Sequence, residues 1–308
     1  VTAMTNRLLV VGEALVDIVQ DQTGDRAEHV GGSPANVAMG LARLDHRVDF
    51  ACWLGRDPRG ERIAAHLARH GVTVLPESFG ADPTTTAVAT LDAHGAATYD
   101  FDLHWDLPQV TIPAGTGHIH TGSIGAVLDP GAASVLAAID EVRTQGTVSY
   151  DPNIRPGIMG ELAAVRPKVE DLIGRSDVVK ASDDDLQLLY PDLATEEVLG
   201  RWVSAGPGLA VVTRGAAGVM FRVASSDEVT TVPTLAEHVV DTVGAGDSFM
   251  AGLVSGLVAA GLLGDAGARD RLATATLDDV RPAVERGLAT SAVTVGKAGA
   301  YAPSLDEL

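Results

Sequence analysis

Apolar runs of strand length alternate with amphipathic segments of helix length along most of this chain, and that rhythm restricts the fold more than any other feature. The strand-like runs are Leu8–Val11, Val48–Trp53, His118–Thr121, Thr147–Tyr150, Val178–Lys180 and Leu209–Thr213. Several are apolar on both faces, which implies a parallel sheet with helices covering either side. Helix candidates between them include Ala35–Leu44, Glu61–His70, Pro130–Gln145 and Leu162–Ile173. The pattern predicts an α/β fold: a doubly wound, mostly parallel central sheet flanked by helices. Residues 84–103, TTTAVATLDAHGAATYDFDL, break the rhythm with two alternating β stretches around His94-Gly95, a hairpin signature. Such an insert packs on the body, forms a lid or pairs with another chain. No Pro/Gly/Ser linker or fixed-period repeat divides the 308 residues, so the expectation is one large domain, 1–308, with a β appendage.

Charge and cysteine usage narrow the class of partner. With 22 Lys+Arg against 41 Asp+Glu, the formal charge is −19, which argues against nucleic acid, whose binding needs clustered basic residues. The one cysteine, Cys52, excludes an internal disulfide and a cysteine zinc cluster, as expected in a reducing compartment such as the cytoplasm. Arg7 precedes only the short run Leu8–Val11, which Gly12 and Glu13 end well short of a signal-peptide core. The longest greasy stretch, Phe249–Gly264, is shorter than the ~20 residues that span a bilayer and reads as a buried helix, so no membrane association is expected.

Two glycine-rich segments stand directly before helical patterns. In Asp241-Thr242-Val243-Gly244-Ala245-Gly246-Asp247-Ser248-Phe249, small residues at 244–246 let amides crowd at a helix N-terminus, where a phosphate would be stabilised. Asp247 then stands where a carboxylate could take the proton of an attacking hydroxyl; as a plain cap, it would need no ligand. The segment Gly31-Gly32-Ser33-Pro34-Ala35-Asn36 lets a ligand approach the backbone, and Asn36 offers the donor and acceptor that a polyol requires. It would serve equally as a turn before a helix. Neither a G-x-x-x-x-G-K-[ST] loop nor a G-x-G-x-x-G after the first strand occurs, so any nucleotide is held by another device. After a strand, Asp151, Asn153 and Arg155 would point into the crevice at strand C-termini, with Arg155 suited to phosphate oxygens.

Taken together, GGSPANVAMGLARLDHRVDFACWLGRDPRGERIAAHLARHGV (31–72), with Gly55, Asp57 and Gly60, and DTVGAGDSFMAGL (241–253) resemble the two signatures of the ribokinase-like (PfkB) sugar kinases. VVTRGAAG (211–218) resembles the strand and turn near the nucleotide. The resemblance implies ATP and Mg²⁺ as cofactors, Asp247 as catalytic base, and the amides of Gly244, Ala245 and Gly246 as an anion hole. It implies that Asp17, in GEALVD, grips sugar hydroxyls with Gly31, Gly32 and Asn36, and that Asn153 and Arg155 flank the substrate. Thr213, Gly215 and Gly218 match the nucleotide-side loop, and SAVTVGKAGAYAP (291–303) resembles the segment beside adenine. Asp241 and Val243 match positions that ligate a monovalent cation, such as K⁺, in some members. Where the family often has N-x-x-E, this chain has Lys180-Ala181-Ser182-Asp183-Asp184-Asp185. Lys180 and Ser182 then fall on the phosphate side, and Asp185 supplies hard oxygen to Mg²⁺ directly or through water, or simply favours a helix N-terminus.

The DPN-x-R stretch and Ser182 look most like fructokinases and, with more variation, 2-keto-3-deoxygluconate kinases. The resemblance implies phosphorylation of a small sugar, most simply fructose, under a β lid at about 14–32 and 82–107. Thr84–Thr86, Phe101, His104 and Trp105 are candidates for its sugar side, with lid packing or a dimer contact as the alternative for the last two. Pairing lids would remove a sheet edge and give a homodimer. A non-catalytic sugar-binding protein and a nicotinamide oxidoreductase are the rivals; the intact Asp247 and GAG segment oppose the first, the missing glycine fingerprint the second.

Overall fold

In the computed structural model, which describes residues 7–20, 26–91 and 97–308, the chain begins with β1 (Arg7–Val11), β2 (Leu15–Gln20), β3 (Arg26–Gly31) and α1 (Ser33–Arg43). It continues through β4 (Arg47–Ala51), β5 (Leu54–Gly55), α2 (Pro58–Arg69), β6 (Val72–Val74), β7 (Phe79–Ala81), β8 (Thr86–Leu91) and β9 (Ala97–Asp102). Then come β10 (Thr116–Gly122), α3 (Gly131–Val142), β11 (Thr147–Asp151), α4 (Pro156–Met159), α5 (Leu162–Arg175), β12 (Val178–Ser182), α6 (Asp183–Leu189) and α7 (Thr195–Ala205). Last are β13 (Leu209–Thr213), β14 (Val219–Val223), β15 (Thr230–Val232), α8 (Ala245–Ala259), α9 (Ala268–Ala273) and α10 (Leu277–Val295).

The central sheet has the order β15-β14-β13-β12-β11-β10-β1-β4-β6 and is parallel from β13 to β6. The antiparallel edge made by β14 and β15 is an addition the apolar pattern did not announce. Both faces are covered, as expected. Along β1, Leu8 and Val10 join the core shared with α1, α8 and α10, while Leu9 and Val11 join the core shared with α3, α5 and α7. The expected helix Phe249–Gly264 starts at Ala245 and stops at Ala259, where Gly261 (φ 70°) turns the chain and Leu262 N–H donates back to Leu257 O at 2.8 Å. On α8, a Cβ at Gly256 would lie 2.6 Å from Ala283 Cα, so glycine sets the close approach of α10.

From β1 the chain first builds outward through β4 and β6, then returns to the other side of β1 with β10. The carboxyl ends of β1 and β10 therefore diverge into a crevice, the place where open α/β sheets bind ligands. A second sheet, ordered β3-β2-β8-β9, stands apart from the first, with β2 and β8 parallel and Asp17 paired with Ala87. The hairpin expected in 84–103 is β8–β9, although His94-Gly95 and the Phe101 side chain lie outside the described residues.

One polar seam runs through the sheet face under α8. His118 bonds Thr147 Oγ1 and Ser149 Oγ, each at 2.9 Å, and His120 Nδ1 bonds the same Ser149 hydroxyl at 2.9 Å. Burial pushes both imidazoles down to about 3, with His118 and Lys180 adding to the effect on His120. Because the folded value lies below the unfolded one, each histidine withdraws about 1.4 kcal/mol of stability per pH unit as pH falls below ~6.5. The buried carboxyls of Glu13 and Asp151 act in the opposite sense, so the imidazoles themselves are the readout. Two of the nine histidines should hold neutral-imidazole ¹⁵N shifts from pH 8 to pH 5, each signal vanishing in His118→Asn or His120→Asn. Titration of either near 6.5 would contradict this placement.

Candidate active site

A cavity of about 930 Å³ opens at the crevice, lined by the carboxyl ends of β1, β10, β12 and β13, the loop after β11, the second sheet and the starts of α1 and α8. Gly244, left-handed at φ 75°, turns the chain into α8 and puts Asp247 in its first turn. Asp247 Oδ1 accepts from Ser33 Oγ at 2.7 Å and Oδ2 from Asn36 Nδ2 at 2.8 Å. The two glycine segments thus meet through one carboxylate, with Ser33 a partner that sequence reasoning had passed over inside GGSPAN. Asn36 Oδ1 is buried and has no partner among the described residues. The first-turn amides of a helix lack intrahelical partners; Gly244, Ala245 and Gly246 all line the cavity, and Ala245 N–H also donates to Thr242 O at 3.2 Å.

At the end of the cavity beside the second sheet, Asp17 lines it from β2. Burial pushes its carboxyl up, partly offset by His29, its neighbour on β3. A Cβ at Gly31 would lie 2.0 Å from Asp17 Oδ2, and one at Gly32 (φ 110°) 2.5 Å from Glu13 O, so both glycines serve close approach. Glu13, which the sequence reading left out, is 4 % exposed and accepts Gly125 N–H at 2.9 Å. Burial pushes its carboxyl up to about 7, offset in part by Ser123 and Gly125 and reinforced by Asp247. Its only signal in the sequence was an acid immediately after an apolar strand.

At the other end, Lys180 Nζ meets Asp151 Oδ2 at 2.7 Å, both buried. Burial pushes Asp151 up to about 6 despite the neighbouring ammonium; for Lys180, burial lowers the ammonium but Asp151, Asp185 and Asp247 together raise it. A Cβ at Gly246 would lie 3.1 Å from Lys180 Nζ, so glycine seats the ammonium against the first turn of α8. Asp185 accepts Ile154 N–H at 2.7 Å on one oxygen and Ser182 N–H (2.8 Å) and Oγ–H (2.7 Å) on the other. Beyond any Mg²⁺ contact, it ties the 153–155 loop to the start of α6. That loop carries Asn153 at φ 40°, a conformation Asn tolerates better than most residues, and Arg155 at the exposed rim.

Other expected positions fall elsewhere. Thr213 lines the cavity but Gly215 and Gly218 do not; a Cβ at Gly218 would strike Val232 O at 2.1 Å, so packing requires that glycine. Asp241 accepts Val243 N–H (3.0 Å) and Gly299 N–H (2.8 Å), which hold its carboxyl low and bring 291–303 beside α8. Val243 is exposed and lines the cavity. Of the lid candidates, Thr84 bonds Asp57, the cap of α2, and Thr85 bonds His104 O. Trp105 is buried in the core and donates to Gly125 O at 2.8 Å. Among the described side chains of β8, Ala87 lines the cavity. Among the described residues, no cluster of three or more His, Cys, Asp or Glu forms a ready metal cage.

The buried Asp151–Lys180 pair gives a direct stability test. Lys180→Met strands an unpaired buried carboxylate and should cost about 3–5 kcal/mol in urea unfolding, most of it recovered when Asp151→Asn is added. A loss below about 1 kcal/mol would mean that the pair is open to water.

Comparison with known proteins agrees with this geometry. Residues 5–307 match the model of the pfkB family carbohydrate kinases. The fructokinase of Klebsiella pneumoniae is 34% identical over 269 residues, covering 84% of this chain and 87% of its own. A fructokinase double mutant from Vibrio cholerae O395, solved with fructose, ADP and potassium ion bound, superposes with a TM-score of 0.79 at 27% identity over 98% of this chain and 96% of that one. The ATP-bound fructokinase of Xylella fastidiosa shares the fold, with a TM-score of 0.83 at 24% identity over 98% and 97% of the two chains. A chain matched almost end to end by the family, with both glycine segments converging on one carboxylate, belongs to the pfkB family of carbohydrate kinases.

Proposed function

We propose that this carbohydrate kinase is a fructokinase, moving the γ-phosphoryl group of ATP to a hydroxyl of fructose. The observation that carries the reading is Asp247 in the first turn of α8, oriented by Ser33 and Asn36 in a cavity that Asp17 and Lys180 also line; on this reading the sugar lies toward Asp17 and the phosphates toward Lys180. Similarity to fructokinases supports the choice of sugar. Arg155 at the rim favours the acid sugar 2-keto-3-deoxygluconate as second reading, since a guanidinium would take its carboxylate. An intact base between these ends argues against a non-catalytic sugar-binding role.

In this scheme Asp17 and the free Asn36 Oδ1 accept sugar hydroxyls. Asp247, whose orientation is fixed by two donors yet whose oxygens keep spare lone pairs, takes the proton of the attacking hydroxyl. The amides of Gly244 and Gly246 and the Lys180 ammonium face the transferred phosphoryl group and stabilise its charge. Thr213 and Ser182 flank the nucleotide, with 291–303 beside its base. Asp184 and Asp185 line the cavity in the manner Mg²⁺ uses, a carboxylate or two completed by phosphates and water. When bound, Mg²⁺ neutralises phosphate charge. A K⁺ ion near Asp241 and Val243 would add positive charge at the same helix end. Closure of the β2–β3–β8–β9 sheet as a lid would exclude water that hydrolyses ATP, and pairing of two such sheets would make a homodimer. The buried Cys52 thiol, pushed up to about 12 by burial, suits a cytoplasmic setting without depending on it.

Asp247→Asn should lower kcat at least ~100-fold while ATP binding measured by calorimetry persists. Retention of more than about a tenth of kcat would remove Asp247 as base. Asp17→Ala should raise the sugar KM and leave the ATP KM nearly unchanged; equal rises would place Asp17 outside the sugar end.

A further inference from the structure

Glu13 has no task in the transfer described above, yet its carboxylate is buried and lines the sugar end of the cavity. Burying an ionisable carboxylate costs several kcal/mol, and a neutral amide could tie protein donors together at lower cost. Gly125 N–H donates to Oε2 at 2.9 Å and the Ser123 hydroxyl engages the same carboxylate. A carboxylate has about four lone-pair sites, so these donors leave capacity for a ligand hydroxyl. Ser123, also buried and lining the cavity, sits at φ 54°, ψ −149°, a region that strains any residue with a Cβ. The strain persists because the loop is pinned from several sides. Ser123 N–H donates to Asp151 O at 2.9 Å, Trp105 Nε1 to Gly125 O at 2.8 Å, and Glu13 holds Gly125 from below. Gly125 packs closely here, since a Cβ would lie 3.0 Å from both Glu13 N and Oε2 and would force them to shift.

We propose that Glu13 is a sugar-positioning residue: it fixes the strained Ser123 hydroxyl in the cavity wall, and the pair together receives a hydroxyl of the neutral sugar. This rests on the sugar-kinase reading of the cavity. The charged groups around Glu13 are Asp247 on α8, Asp17 on β2 and the Asp151–Lys180 pair at the ends of β11 and β12. With its carboxyl raised to about 7, Glu13 gains a proton as pH falls through that value, and the charged acceptor offered to Ser123 and to the sugar hydroxyl becomes a weaker, neutral one.

The test is steady-state kinetics of wild type, Glu13→Gln, Ser123→Ala and Ser123→Gly from pH 6 to pH 8.5, with Tm measured alongside. Glu13→Gln should raise the sugar KM about 10-fold with the ATP KM within about twofold, and should abolish an acid limb near pH 7 in kcat/KM for the sugar. Ser123→Gly should raise Tm by releasing backbone strain yet weaken sugar binding as Ser123→Ala does, and the Glu13→Gln/Ser123→Ala double variant should be no worse than either alone. A Glu13→Gln enzyme with wild-type sugar KM and pH profile overturns the proposal, as does an equal rise in both KM values. If wild type prefers another neutral sugar, the fructose reading fails while the Glu13 comparison is made on that sugar.

Discussion

The site depends on two helix starts being held face to face over the carboxyl ends of a parallel sheet. Asp247 in the first turn of α8 accepts from Ser33 and Asn36 on α1, joining residues more than two hundred positions apart. Each bond to a charged group of this kind contributes about 1.5–3 kcal/mol, and here they also fix the direction of the carboxylate. The helices can come this close because glycines line the contact; at Gly40 of α1 a Cβ would lie 2.6 Å from Ala251 Cβ of α8. Close packing of an apolar helix and placement of a charged group are therefore one structural solution.

Charge is distributed with the same economy. A chain of formal charge −19 places several carboxylates around its cavity, and among the described cavity-lining residues only Lys180 and Arg155 are cationic. Lys180 is held by Asp151 on the adjacent strand, so its ammonium is fixed before any phosphate arrives. Fixed charge in a site shielded from water needs no reorganisation during reaction. The end of the cavity beside the second sheet has the opposite character, lined by the carboxyls of Glu13, Asp17 and Asp247.

Much of this was legible in the sequence, for identifiable physical reasons. Strands apolar on both faces, such as Leu8–Val11, belong inside a sheet covered on both sides, and that run lies between two parallel neighbours. Positions 244–247 carry the pattern of a helix start, and α8 begins there. What stayed hidden depends on contacts between distant segments. Glu13 stood out only as a residue ending an apolar run, because its partners, Ser123 and Gly125, come from the segment after a different strand. Trp105 and Thr84 looked like cavity residues because nothing local shows that one packs in the core and the other serves Asp57. Gly218 read as a ligand-side glycine, whereas the backbone of Val232 requires it. Local pattern reports element type and helix ends; which face a loop residue turns is set by neighbours brought in from afar.

The measurement that bears most directly on this account is ADP release with Mg·ATP across fructose, glucose, mannose, ribose, tagatose, 2-keto-3-deoxygluconate and adenosine. Saturable turnover highest with fructose is the predicted result. ATP binding with no turnover of any sugar, or turnover highest with adenosine, would contradict a cavity built to bring a neutral ketose against Asp247.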